Sequence, residues 1–115
     1  PVYCLNMSPF YLIIKEIWRF LVLIRNIKPD IIQAWMYHSF LFGVLAKLQT
    51  KRNTSIIWNV RHSLHDIRYE KPLTAFIIKI GALLSFVPEK IIYNSDVSAL
   101  QHESIGFSSK KTMII

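Results

Sequence analysis

The sequence predicts an α/β fold: a Rossmann-like parallel sheet with helices on both faces. Two observations predict it. Four short, largely β-branched runs, Ile31-Ile32, Ile56-Ile57-Trp58, Ile91-Ile92-Tyr93 and Met113-Ile114-Ile115, each follow a polar or charged stretch. They lack the apolar–polar alternation of half-exposed strands, so they read as strands covered on both sides. Between them lie segments with helical spacing. Strict alternation of strand and helix implies parallel strands joined by crossover helices in an open, doubly wound sheet.

The first helix is announced by Ser8-Pro9, a cap residue followed by proline at the first helical position. Phe10, Ile13, Ile14, Ile17, Leu21 and Ile24 then share one face, opposite Lys15, Arg19 and Asn26, with Glu16 and Arg25 at the edges. A helix of about 18 residues is about 27 Å long, enough to carry the chain back across a strand of about 20 Å. A second helix is predicted over 39–49, where Phe40, Leu41, Val44, Leu45 and Leu48 recur. A third, over 73–86 between Pro72 and Pro88, carries Lys79 as its one charge and reads as a helix buried on most sides. Its alternative is a surface that docks on another domain or on lipid; it falls short of the roughly 20 residues a membrane span needs. A fourth, over 96–105, stops at Gly106. Residues 2–5 read as the tail of an earlier strand.

At 115 residues the chain suits one small domain, and 52% apolar with 18% charged residues excludes a disordered segment. It opens without an initiator Met and closes in an apolar run, so it is expected to be truncated at both ends. The lone Cys4 permits no intrachain disulfide and suits a reducing compartment. The formal net charge of +7 is dispersed along the chain. It favours anionic surfaces or substrates. No basic stretch interleaves with aromatics, so nucleic acid is not an expected partner. The glycine fingerprints of dinucleotide and P-loop sites and the G-x-S-x-G elbow are absent from these residues.

In open parallel sheets, ligands bind beyond the carboxyl ends of the strands. The residues that follow the apolar runs there are Trp35-Met36-Tyr37-His38, Asn59-Val60-Arg61-His62-Ser63 and Asn94-Ser95. His62 can accept a proton or hydrogen-bond a sugar hydroxyl. Arg61 can hold a phosphate or carboxylate with its fork. Ser95 opens a helix whose amides can face an anion. Each has a plainer alternative: Arg61 and His62 as loop caps, His38 as a helix-start residue bonded to backbone, Ser95 as a simple N-cap. The polar loop 61–72 adds His65, Asp66, Arg68, Glu70 and Lys71. The spacing of His62, His65 and Asp66 is no recognised ligand pattern, so no metal is expected.

Several segments resemble bacterial family 4 glycosyltransferases. They are Lys28-Pro29-Asp30-Ile31-Ile32-Gln33-Ala34-Trp35-Met36-Tyr37-His38 with Gly43 and Ala46, Ile57-Trp58-Asn59-Val60-Arg61-His62-Ser63, and Pro88-Glu89-Lys90-Ile91-Ile92-Tyr93-Asn94-Ser95 followed by His102-Glu103 and Ile105-Gly106-Phe107. Their order and spacing match over about residues 28–115. The resemblance implies a two-domain (GT-B type) enzyme, with residues 1–115 part of the N-terminal, acceptor-side domain. It implies transfer of a sugar, with retention, from a nucleotide-sugar donor to a glycan or glycolipid acceptor, in polysaccharide, lipopolysaccharide or capsule synthesis. No cofactor or metal is implied; the nucleotide sugar is a substrate, held largely by a C-terminal domain in cis. His62 matches a histidine near the reacting sugar, His38 a polar position at an earlier strand end, and Ser95 a serine that opens a helix at the cleft. Arg61, Ser63 and Asn94 stand beside these as substrate-binding candidates. The implied location is cytoplasmic, with peripheral contact to the inner face of the membrane through Lys15, Arg19 and Arg25. The alternatives are a non-catalytic binding module of the same fold and an enzyme akin to nucleotide-sugar epimerases. The missing glycine fingerprint argues against the latter.

Overall fold

In a computed structural model, which describes residues 2–4, 10–50 and 53–115, strands and helices alternate along the chain. The order is α1 (Phe10–Ile27), β1 (Ile31–Trp35), α2 (Met36–Gln49), β2 (Ser55–Val60), α3 (Pro72–Leu84), β3 (Lys90–Tyr93), α4 (Asp96–Ser104) and β4 (Thr112–Ile114). Short 3₁₀ turns fill Ile67–Tyr69 and Ser109–Lys111. All four strands pair in parallel, in the order β1-β2-β3-β4. The predicted α/β class and parallel sheet are therefore present. The Ser8-Pro9 start signal and Leu5 lie outside the described residues.

Register decides which side chains share a face. Ala34 pairs with Trp58 and Trp58 with Ile91, while Val60 pairs with Tyr93. These residues, with Ile56, are buried in one core together with Tyr37 and Phe40 of α2, Ile77, Ile78 and Ala82 of α3, and Ala99 of α4. Phe40 lies flat on Trp58, ring centroids 4.4 Å apart and planes 3° from parallel. Helices α2, α3 and α4 therefore share one face. The other face carries Ile31, Gln33, Trp35, Ile57, Asn59, Ile92 and Met113, of which Ile31, Gln33, Trp35 and Met113 are exposed. Consecutive neighbouring strands, joined by crossovers of one hand, put their helices on one side. The described strands contain no reversal of order that would send a helix to the second face, and no described helix packs in that core's mirror position.

The helices differ in detail from expectation. Helix α2 begins at Met36 rather than at 39, because the chain passes from strand to helix at once. Met36 takes φ 66°, a left-handed conformation that costs a non-glycine residue about 1–2 kcal/mol. Ser39 secures the turn, its hydroxyl donating to the carbonyls of Trp35 and of Met36, the latter at 2.8 Å. Helix α1 packs against α2, with Phe20 edge-on to Phe42 at 5.2 Å. Because it leans on a helix rather than the sheet, its apolar face is only partly covered. Ile24 is buried and Ile14 exposed, while Glu16, expected at the polar edge, is buried beside Arg19 at 2.9 Å. Helix α3 is not buried on most sides: Ile77, Ile78, Gly81 and Ala82 are buried, but Leu73, Phe76 and Leu83 are exposed.

Helix α4 ends as its glycine predicts. Gly106 takes φ 108°, its N–H donates to the carbonyl of Glu103 at 3.0 Å, and the Phe107 N–H donates to that of His102 at 3.1 Å. This pair of bonds with a left-handed glycine is the Schellman motif. Its usual apolar contact is made by the Phe107 ring, edge-on to His102 at 5.2 Å.

Candidate functional site

The pairings Trp35–Asn59 and Val60–Tyr93 bring the carboxyl ends of β1, β2 and β3 to one edge. The segments expected there do converge. Arg61 and His62, adjacent in sequence, nevertheless leave β2 on opposite sides of the sheet. Arg61 continues the face of Asn59 and Trp35, and its guanidinium carbon stands 4.9 Å from the centre of the Trp35 ring. That is a cation–π distance. His62 continues the helix-covered face and meets residues of α2 and α4.

A closed set of contacts holds His62. The hydroxyl of Ser98, fully buried, donates to the His62 carbonyl at 2.8 Å. The carbonyl of Ser98 lies 2.7 Å from Nδ1 of His102. A carbonyl only accepts, so that nitrogen carries the proton and the neutral ring offers Nε2 as acceptor. The Tyr37 hydroxyl donates to it at 2.7 Å. The Tyr37 ring then returns to His62, edge-on at 6.5 Å. Burial pushes the titration of His102 below the usual histidine range; the bond to the Ser98 carbonyl opposes that shift and the charge of His62 adds to it. Burial likewise pushes the Tyr37 phenol up, aided by the Glu70 carboxylate. The Tyr93 phenol, whose ring is 5.4 Å from His102, rises for the same reason, with Glu103 and Tyr37 adding. Its buried hydroxyl has no hydrogen-bond partner among the described residues.

The His62 ring is accessible, 45% exposed in its side chain, and its Nε2 lies 3.0 Å from Oε1 of Glu70. Glu70 arrives there because the loop after β2 is itself folded. Asp66 accepts from the Arg68 N–H at 2.8 Å and from its guanidinium at 2.6 Å, which tightens the 3₁₀ turn ahead of Glu70. Those hydrogen bonds from Arg68 hold the Asp66 carboxyl below its ordinary range. Asp66 and Arg68 are thus used in building the loop.

The other candidates are placed as follows. Ser95 caps α4, its hydroxyl accepting from the Ser98 N–H at 3.1 Å, which is the plainer of its two readings. The cap also steadies Ser98, and through it His62. His38 in the first turn of α2, Ser63 after His62, and Asn94 after β3 are all exposed along the same edge. None of these three hydrogen-bonds to His62 among the described residues. Sequence reading missed the roles of Tyr37, Glu70, Ser98 and His102. The available signal was the pair Ser98 and His102, four residues apart on a short helix, both polar where a core face was due. Among the described residues no three His, Cys, Asp or Glu side chains are grouped to hold a metal ion. A recess of about 400 Å³ between residues 2–4 and α1, lined in part by Trp18 and Arg19, shares no residue with the strand-end cluster.

Arginine over an aromatic ring, a half-exposed histidine paired with a carboxylate, and a capped helix start together make a polar edge. It can hydrogen-bond a neutral hydroxyl at His62 and hold an anion at Arg61. In comparisons with known proteins, no family model matches the chain and no curated protein matches it.

Proposed function

We propose that this chain is part of the acceptor-side domain of a retaining, nucleotide-sugar-dependent glycosyltransferase similar to bacterial family 4. The observation that supports it best is the convergence of the resemblance-carrying segments. Residues 28–38 and 88–95 contain β1 and β3, residues 57–63 hold most of β2 between them, and the segments end at one edge with His62 accessible there. In this role His62 hydrogen-bonds a hydroxyl beside the reacting carbon, and Arg61 meets phosphate or carboxylate. His38, Ser63, Asn94 and Ser95 line the approach. The donor nucleotide sugar is held from a facing C-terminal domain, and the acceptor is a glycan or glycolipid. No helix among the described residues is long and apolar enough to cross a membrane. The reaction belongs in the cytoplasm, where nucleotide sugars are made, with Lys15 and Arg25 of α1 exposed to anionic lipid and Arg19, paired with Glu16, beside them.

The test is transfer of radiolabelled sugar from a panel of nucleotide sugars to a lipid-linked acceptor by the complete gene product. Transfer with retained anomeric configuration is expected, and none from the 115-residue chain alone. A complete product that neither transfers nor hydrolyses any donor, or one that inverts configuration, refutes the proposal.

A further inference from the structure

We propose that Glu70 is a positioning residue that fixes His62 as its Nε2–H tautomer and leaves Nδ1 as the atom offered to a ligand. The two groups are 3.0 Å apart, Nε2 to Oε1. An ionised carboxylate has only acceptors, so the imidazole nitrogen that faces it carries a hydrogen. In a neutral ring the other nitrogen is then a lone-pair acceptor, and which nitrogen is which is set by that one hydrogen bond. Glu70 is the more buried partner, 25% exposed in its side chain against 45% for His62. Glu70 occupies the Nε2 side of the ring, so a ligand that hydrogen-bonds the imidazole meets it at Nδ1. Among the described residues Nδ1 has no hydrogen-bond partner.

The rest of the ring's freedom is removed from behind. Ser98 pins the His62 carbonyl at 2.8 Å, and Tyr37, itself pinned by His102 at 2.7 Å, sets its ring edge-on to the imidazole. Backbone, ring plane and tautomer are thus each set by a different neighbour. A consequence follows for the ligand, and it rests on the reading of His62 as ligand-facing. A bare Nδ1 accepts, so the group that meets it is a hydrogen-bond donor such as a sugar hydroxyl, and an anionic oxygen is turned away. Anionic groups are left to Arg61, on the other side of the sheet over Trp35.

The experiment is nitrogen NMR of the 115-residue chain labelled at its histidine ring nitrogens, at alkaline pH with the rings neutral. His38, exposed, supplies the signature of a free imidazole mixing both tautomers. His102, whose Nδ1 donates to the Ser98 carbonyl, supplies the opposite pure tautomer and reports that the domain is folded. His62 is expected to show a protonated Nε2 and a bare Nδ1. Glu70→Ala shifts it to the mixed signature of His38 while His102 keeps its own. Glu70→Gln retains an acceptor oxygen and keeps the wild-type signature. A wild-type His62 that matches His38, one protonated at Nδ1, or one unmoved by Glu70→Ala overturns the assignment. In the complete enzyme, Glu70→Ala should lower kcat by roughly ten- to a hundredfold with little change in KM, the size of effect that mispositioning produces. If the NMR result holds but His62→Ala leaves transfer unchanged, the tautomer assignment stands and the ligand step is overturned.

Discussion

Replacing Tyr37 by Phe deletes one oxygen from the core and tests whether the contacts around His62 work as a unit. Tyr37 is 4% exposed and His102 fully buried. The lost hydroxyl leaves Nε2 of His102 buried without its donor, a penalty of about 2 kcal/mol. For a domain of this size that lowers Tm by roughly 10 °C. His102→Leu has the converse effect, stranding the Tyr37 hydroxyl, at about 2 kcal/mol. In the double variant neither partner of the Tyr37–His102 bond remains to be stranded. The combined loss should fall short of the sum of the singles by about 1–2 kcal/mol. Urea unfolding followed by far-ultraviolet circular dichroism on the four proteins measures it. Additivity to within about 0.5 kcal/mol would show that Tyr37 and His102 are independent, and the closed circuit would be wrong.

Acidification should act on the same residue. The folded state holds His102 below the unfolded value of about 6.5, so between those two values the unfolded chain binds more protons. The stability from burying it neutral is complete above about pH 6.5 and is lost as pH falls through the window below. Thermal unfolding scanned from pH 7.5 to 5.5 should show Tm falling, with a shallower slope for His102→Leu; equal slopes would contradict the assignment. Two backbone positions give opposite signs. Gly106, at φ 108°, should cost about 1–2 kcal/mol when replaced by Ala, whereas Lys28, at φ 52°, should stabilise by up to about 1 kcal/mol as Gly. Denaturant midpoints of the two variants check both, and shifts of like sign would refute the account of these helix ends.

The strands and the end of α4 were legible because their signals are local. A β-branched run after a polar stretch marks β1, β2, β3 and β4, and Gly106 marks the end of α4 through the one conformation that glycine adopts freely. What failed to show was non-local. Arg61 and His62 read as one site, yet the two-residue period of a strand sends neighbours to opposite faces. Glu70 is one charge among several in a polar loop, and it is the turn held by the Asp66–Arg68 bonds and by the Glu70 N–H to the Ile67 carbonyl that brings it to His62. Tyr37 and His102 are 65 residues apart, a separation no spacing rule spans. The apolar content of α3 suggested burial on most sides, but content does not specify neighbours, and Phe76 and Leu83 face outward among the described residues.

The role of His62 is tested most directly by steady-state transfer kinetics on the complete enzyme with His62→Ala and His65→Ala. The two histidines lie in one loop, but among the described residues His65 has only a long 3.5 Å contact with Gln101, whereas His62 is held at the strand edge by Ser98, Tyr37 and Glu70. A preorganised hydrogen bond at the reacting centre contributes on the order of 3 kcal/mol, so His62→Ala should lower turnover about a hundredfold with the circular dichroism spectrum unchanged. His65→Ala should stay within about twofold of wild type. Equal and small effects for the two variants would contradict the account and leave His62 a loop-capping residue.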